Sequence, residues 1–178
     1  MIENQTDTRN ETLRHVAARM MNAARTAPKA RGIDNLEIAM LTGDAIERLA
    51  SKLKEMSAEP GRAFFARDAE NILQSGAVVL VGSRYGVMGL NCGWCGFPTC
   101  AEKTEQAPLA PCAFNTNDLG IAVGSAVSVA ADHRADCRVL YSGDVGALAL
   151  DMLPGCRAAL AIPVSATGKS PFFDRKPL

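Results

Sequence analysis

The 178-residue chain is 48% hydrophobic and 21% charged, with nineteen basic residues set against nineteen acidic ones. The balance is local as well as global, eleven of each sign in residues 1–75 and eight of each in 76–178, so no basic face for nucleic acid is implied. Aromatic residues make up only 5%, so a core must be built from Ala, Val, Leu, Ile and Met, and the length suits one domain or a small domain carrying an insertion.

Residues 1–10 are polar and without period, which predicts a disordered N-terminus ahead of a single α+β domain over 11–178. From Glu11, the residues Leu13, Val16, Ala17, Met20, Met21 and Ala24 keep the spacing of an amphipathic helix, which Pro28 and Gly32 bring to an end. In LEIAML (36–41), Leu36, Ile38 and Met40 alternate as in a short strand, and Thr42-Gly43-Asp44 leads into a second helix through Ile46, Leu49 and Leu53. A third helix through FFARDAENILQS puts Phe64, Ala69 and Ile72 on one side. Gly76 then releases the chain into AVVLVGS (77–83), a run apolar enough for a central, fully buried strand. Segment 89–115 is too rich in Gly, Pro and Cys for a regular element and reads as an insertion.

Beyond it, Asn115, Thr116, Asn117 and Asp118 offer caps for a helix of small residues, in which Gly120, Gly124, Ser125 and Ser128 leave room for a close neighbour. CRVLYS reads as a short strand, DVGALALDML as a helix and RAALAIPV (157–164) as another apolar strand. In the tail SATGKSPFFDRKPL, Phe172 and Phe173 are expensive to leave in water and are expected to dock on this chain or on a partner subunit. The longest small-apolar run, 120–131, has twelve residues, against the roughly 20 that cross a bilayer. No membrane association is expected. The start MIENQTDTRNET lacks the basic and apolar regions of a signal peptide, and a cytoplasmic location is expected.

Six cysteines stand at 92, 95, 100, 112, 137 and 156. A disulfide framework belongs to short secreted chains without a core, so clustering in this chain points to a metal. Cys92, Cys95, Cys100 and Cys112 follow C-x2-C-x4-C-x11-C, and four thiolates in that order can meet on one tetrahedral ion or at the corners of an iron-sulfur cluster. Gly89, Gly93 and Gly96 let the loop bend with N–H groups turned towards sulfide, and Trp94 and Phe97 can shield the centre. Structural zinc sites usually pair two CxxC-like knuckles, which Cys112 does not supply. Iron-sulfur is therefore favoured, with zinc and a metal-free thiol group as alternatives. Cys137 and Cys156 read as core residues.

CGWCGFPTC is similar to the C-x2-C-G-x3-C signature of a small iron-sulfur domain found in electron-transport complexes and corrinoid iron-sulfur proteins, where a later Cys completes a [4Fe-4S] site. The segments APKARGIDN, RDAENILQSGAVVLVG, GLNCGWCGFPTC, NDLGIAVGSAVSVAAD and SATGKSPFFDRK resemble a prokaryotic family of uncharacterised ferredoxin domain-containing proteins. The resemblance implies a [4Fe-4S] cluster on Cys92, Cys95, Cys100 and Cys112, and electron transfer to a redox partner protein or a small-molecule acceptor. The order of elements also resembles the flavin-dependent nitroreductase fold, a mixed sheet flanked by helices that dimerises. That resemblance implies a homodimer, with FMN as a further cofactor and the cluster as electron inlet to a reductase. The Arg-Arg-Ser type start that helps hold the flavin phosphate in that fold is absent near Glu11–Arg14. A structural zinc module on an interaction domain is the remaining alternative.

Other motifs carry less. ATGKS (166–170) lacks the first Gly of a phosphate loop, Pro163 standing there, and Pro171 forbids the helix that must follow. His15 falls on the first helical pattern as a surface residue, and His133 stands at a helix end beside Asp132. Asp118, Arg134 and Asp136 read as charges that cap or solvate helix ends. No catalytic residue is assigned.

Overall fold

The structure, a computed structural model, describes residues 1–173, and DRKPL at 174–178 lies outside the described residues. Its elements run α1 (Gln5–Thr26), a 3-10 turn (Ala30–Gly32), β1 (Leu36–Leu41), α2 (Asp44–Met56), α3 (Phe64–Leu73), β2 (Ala77–Ser83), α4 (Cys100–Gln106), α5 (Ala113–Asp132), β3 (Asp136–Cys137), α6 (Ser142–Ala149) and β4 (Ala158–Ser165). The four strands form one sheet in the order β1-β2-β4-β3.

The apolar residues of β2 explain the layering. Alternate side chains point to opposite faces, so Ala77, Val79 and Val81 join the α1 and α5 side, while Val78 and Leu80 join the side of α2, α3 and α6. A strand apolar at both phases is buried on both faces, and every residue of β2 is buried. β4 repeats this, with Ile162 and Val164 towards α1 and α5, and Ala159 and Ala161 towards α6. Gly143 lets α6 lie on β4, because a Cβ there would collide with that of Ala161.

The α+β class stands, yet the sheet expected to be mixed is antiparallel at each of its three pairings. Between β1 and β2 the chain passes through both α2 and α3, and two helices return it to run the opposite way. α1 begins at Gln5, so residues 5–10 are helical. Arg9 donates to Gln5 Oε1 (3.0 Å) and Thr12 to the Thr8 carbonyl (3.1 Å). Nothing before Leu13 is buried, so these turns have no apolar period.

Phe65, not Phe64, faces the core of α3. Phe65, Ala69 and Ile72 keep the i, i+4, i+7 spacing, which Phe64 misses by one position. α5 begins at Ala113, so the expected caps lie within its first turns. Gly120 and Gly124 face open space rather than a neighbour in this chain. CRVLYS keeps only β3 and one bridge, Leu140 to Ala161. In the tail, Phe172 is fully buried and Phe173 is 61% exposed, with the Arg138 guanidinium 5.6 Å from the Phe173 ring centre. Among the described residues, no helix is long and apolar enough to cross a membrane.

Candidate metal centre

Between β2 and α4 the chain runs from residue 84 to 99 without helix or strand, and hydrogen bonds rather than a ladder locate it. Arg84 N–H donates to the Asn35 carbonyl (2.9 Å), Gly86 N–H to Asn115 Oδ1 (3.1 Å), and Arg31 Nη1 to the Met88 carbonyl (2.8 Å). Arg31 does this from a left-handed backbone, φ 56°. Asp118, expected to cap or solvate a helix end, is buried on α5 and accepts the Ala30 N–H at 3.1 Å through both oxygens. The loop that carries Arg31 is thereby tied to the helix that starts beside Cys112.

Past Met88 the chain wraps tightly. Asn91, Gly93 and Gly96 have φ of 48°, 74° and 86°, conformations open to Gly and tolerated by Asn. The wrap ends in a helix that composition had hidden: Thr99 Oγ1 accepts the Glu102 N–H (3.2 Å) and donates to the Glu102 carboxylate (3.0 Å). This is a side-chain N-cap, and the Thr99-x-x-Glu102 spacing was its legible signature. Cys100 is consequently the first residue of α4, and Cys112 is the N-cap of the twenty-residue α5. The aligned peptide dipoles of α5 favour negative charge at that end. α4 also buries Lys103, one turn after Cys100.

Cys92, Cys95, Cys100 and Cys112 all line one narrow pocket, whose other walls include Met88, Leu90, Phe97 and Phe114. Cys92 is exposed, Cys95 and Cys100 are half-buried, and Cys112 is buried. Among the described residues, no three His, Cys, Asp or Glu side chains converge closely enough to hold one ion. The cysteines ring a shared space, and a multi-iron cluster takes its thiolates at separate corners. The donor set, the apolar wall and the backbone N–H of Asn91 on Cys100 Sγ (3.3 Å) fit such a group. Trp94 is placed differently from expectation. It is 68% exposed and stacks on the outside of Phe114, ring centres 5.0 Å apart, while Phe97 lines the pocket itself.

The remaining candidates lie elsewhere. Cys137 packs with the α1 and α5 core, where burial and then Asp136 push its thiol up. Cys156 packs against the other face near Gly82, and burial pushes its thiol up against the opposing pull of Arg84. His15 is exposed beside Glu11, and His133 is exposed at the end of α5 with Nδ1 3.1 Å from the Val129 carbonyl oxygen. The groove between α1 and β1 holds Glu11 beside Arg14, mixed charge rather than a cationic cradle. Periodicity missed Arg31 and Asn91, which act through hydrogen bonds and leave no apolar signal, and Asn115, expected as a helix cap, instead accepts the Gly86 N–H.

A family described as "Uncharacterized protein containing a ferredoxin domain (DUF2148)" matches residues 109–175. An uncharacterized protein from Archaeoglobus fulgidus is 41% identical over 184 residues, covering 99% of each chain. Among solved structures, a nitroreductase with bound FMN from Desulfitobacterium hafniense has a TM-score of 0.61 at 8% identity, covering 87% of this chain and 78% of its own. A BluB-like flavoprotein from Clostridium difficile has a TM-score of 0.57 at 16% identity, covering 92% of this chain and 85% of its own. These likenesses show a nitroreductase-type fold.

Proposed function

The chain belongs to the family of uncharacterised proteins containing a ferredoxin domain, and from that premise we propose that Cys92, Cys95, Cys100 and Cys112 hold a [4Fe-4S] cluster. Such a group supplies one-electron transfer when bound. The observation that carries this reading is the shared pocket, which takes in these four thiols and neither Cys137 nor Cys156. In this reading residues 89–115 are the cluster-binding insertion of a single α+β domain.

The protein's own residues do three things there. The thiols supply negative ligands, Met88, Phe97 and Phe114 keep water from the pocket wall, and the α5 N-terminus offsets the charge. Val87, Leu90, Trp94 and Leu109 are exposed apolar side chains on the same segment. They offer an uncharged surface to a redox partner protein or a small-molecule acceptor. A second copy of the chain is the other partner proposed, with Phe173 as an exposed ring it would cover. All six cysteines are free, which suits a reducing cytoplasm.

A flavin-dependent reductase fed by the cluster is the second reading, favoured by the fold shared with an FMN-bound nitroreductase. Anaerobic purification followed by an absorption spectrum and assays of iron, acid-labile sulfide and zinc tests both. A broad sulfur-to-iron band with labile sulfide is the expected result, and paired flavin bands would add the second reading. Zinc without sulfide or flavin would overturn both in favour of a structural zinc module.

A further inference from the structure

We propose that Asn91 is a positioning residue for Cys100, clamping that thiol in place and placing a hydrogen bond on its sulfur; the sulfur half of this rests on the cluster reading. The contact is reciprocal. The Cys100 N–H donates to Asn91 Oδ1 at 2.8 Å, and the Asn91 N–H donates to Cys100 Sγ at 3.3 Å. Together they close a ten-residue loop, Asn91 to Cys100, that contains Cys92 and Cys95. The Asn91 side chain thus holds the Cys100 backbone while the Asn91 backbone N–H meets the Cys100 sulfur, at the two ends of the segment that carries three of the four thiols.

Two features fit Asn to this place. As the first residue of α4, Cys100 has an N–H without an intrahelical acceptor. Thr99 satisfies the corresponding group of Glu102, and Asn91 satisfies that of Cys100. The backbone of Asn91 is also left-handed, φ 48°, which Asn tolerates better than most residues with a Cβ. An N–H directed at a ligating sulfur disperses its charge and favours the reduced, more negative form of a cluster.

The test compares Asn91→Asp, Asn91→Gly and Asn91→Ala in the full chain. Asp keeps an oxygen acceptor, Gly keeps the backbone freedom without one, and Ala keeps neither. In the metal-free protein, exchange of the Cys100 amide is expected to rise about fivefold in the Gly and Ala variants, the equivalent of one hydrogen bond, and to stay near wild type in Asp. In the reconstituted protein the Gly and Ala variants should release iron to a chelator about tenfold faster. Their reduction potential should move negative as the loosened loop lengthens the backbone N–H contact to sulfur, and Asp should restore the iron-release rate.

Wild-type amide exchange in Asn91→Gly would overturn the clamp. A protected amide lost in Asn91→Gly with no change in iron release or potential would overturn the action on sulfur. If wild-type protein takes up no iron and sulfide, the cluster reading and the sulfur half fail, while amide exchange still decides the clamp.

Discussion

β2 and the segment from Arg84 to Cys112 adjoin in the chain and are held by different means. Every residue of β2 is buried, with strands on both sides and apolar helices on both faces. The cysteine segment has sixteen residues without regular structure and then α4, which packs on no other element to a comparable extent among the described residues. Its position depends on Asn35, Arg31, Asn115 and Asn91, each supplying a hydrogen bond or two. Apolar burial can complete the first region without help. The second has a pocket ringed by thiols at its centre, and a metal group bound there would complete it, as ligand binding contributes folding free energy.

Substitutions should therefore separate the two regions. The largest effect is expected at the pocket: Cys95→Ser should strip iron and colour, whereas Cys156→Ser should keep both, as read by iron per chain. Equal loss from the two would merge the regions and refute the ligand assignment. Next comes Leu80→Ala, in the fully buried strand, which should lower unfolding free energy by about 2–5 kcal/mol. Iron content under native conditions should not change, and a loss of iron in the folded variant would show that the site leans on the core more than its contacts suggest.

Thr99→Ala removes the α4 cap and should cost about 0.5–2 kcal/mol locally. Hydrogen exchange should report it in α4, with protection in β2 and β4 unchanged. The smallest effect concerns pH. On α6, burial pushes the Asp144 carboxyl from 3.8 up to about 6, against the pull of the Ala159 N–H it accepts. The folded state then binds more protons than the unfolded one between those values, so this group's contribution to stability falls as pH rises through the window. Asp144→Asn keeps an acceptor and should raise the melting temperature above pH 6, with the gain fading towards the lower end of the window. A gain independent of pH would remove Asp144 as its source.

The same division explains what could be read in the sequence. β2, β4 and α2 were legible because their burial is periodic, and periodicity survives in residue order alone. Phe64 was preferred to Phe65 because two adjacent rings fit nearly the same stripe, and packing decides between them. The first turns of α1 were invisible because their stabilisation is polar and local. At the site, the spacing of Cys92, Cys95, Cys100 and Cys112 was plain, and α4 was hidden although its N-cap, Thr99 three residues before Glu102, was in view. The mixed sheet was expected from analogy; strand direction depends on where α2 and α3 return the chain. Arg31 to Met88 and Asn91 to Cys100 are pairings that no period encodes.

Native mass spectrometry of the anaerobically purified full chain tests the central claim most directly. The expected result is a protein mass raised by one [4Fe-4S] unit in wild type and in Cys156→Ser, and absent in Cys95→Ser. A wild-type mass carrying one zinc, or a [4Fe-4S] increment that persists in Cys95→Ser, would contradict it.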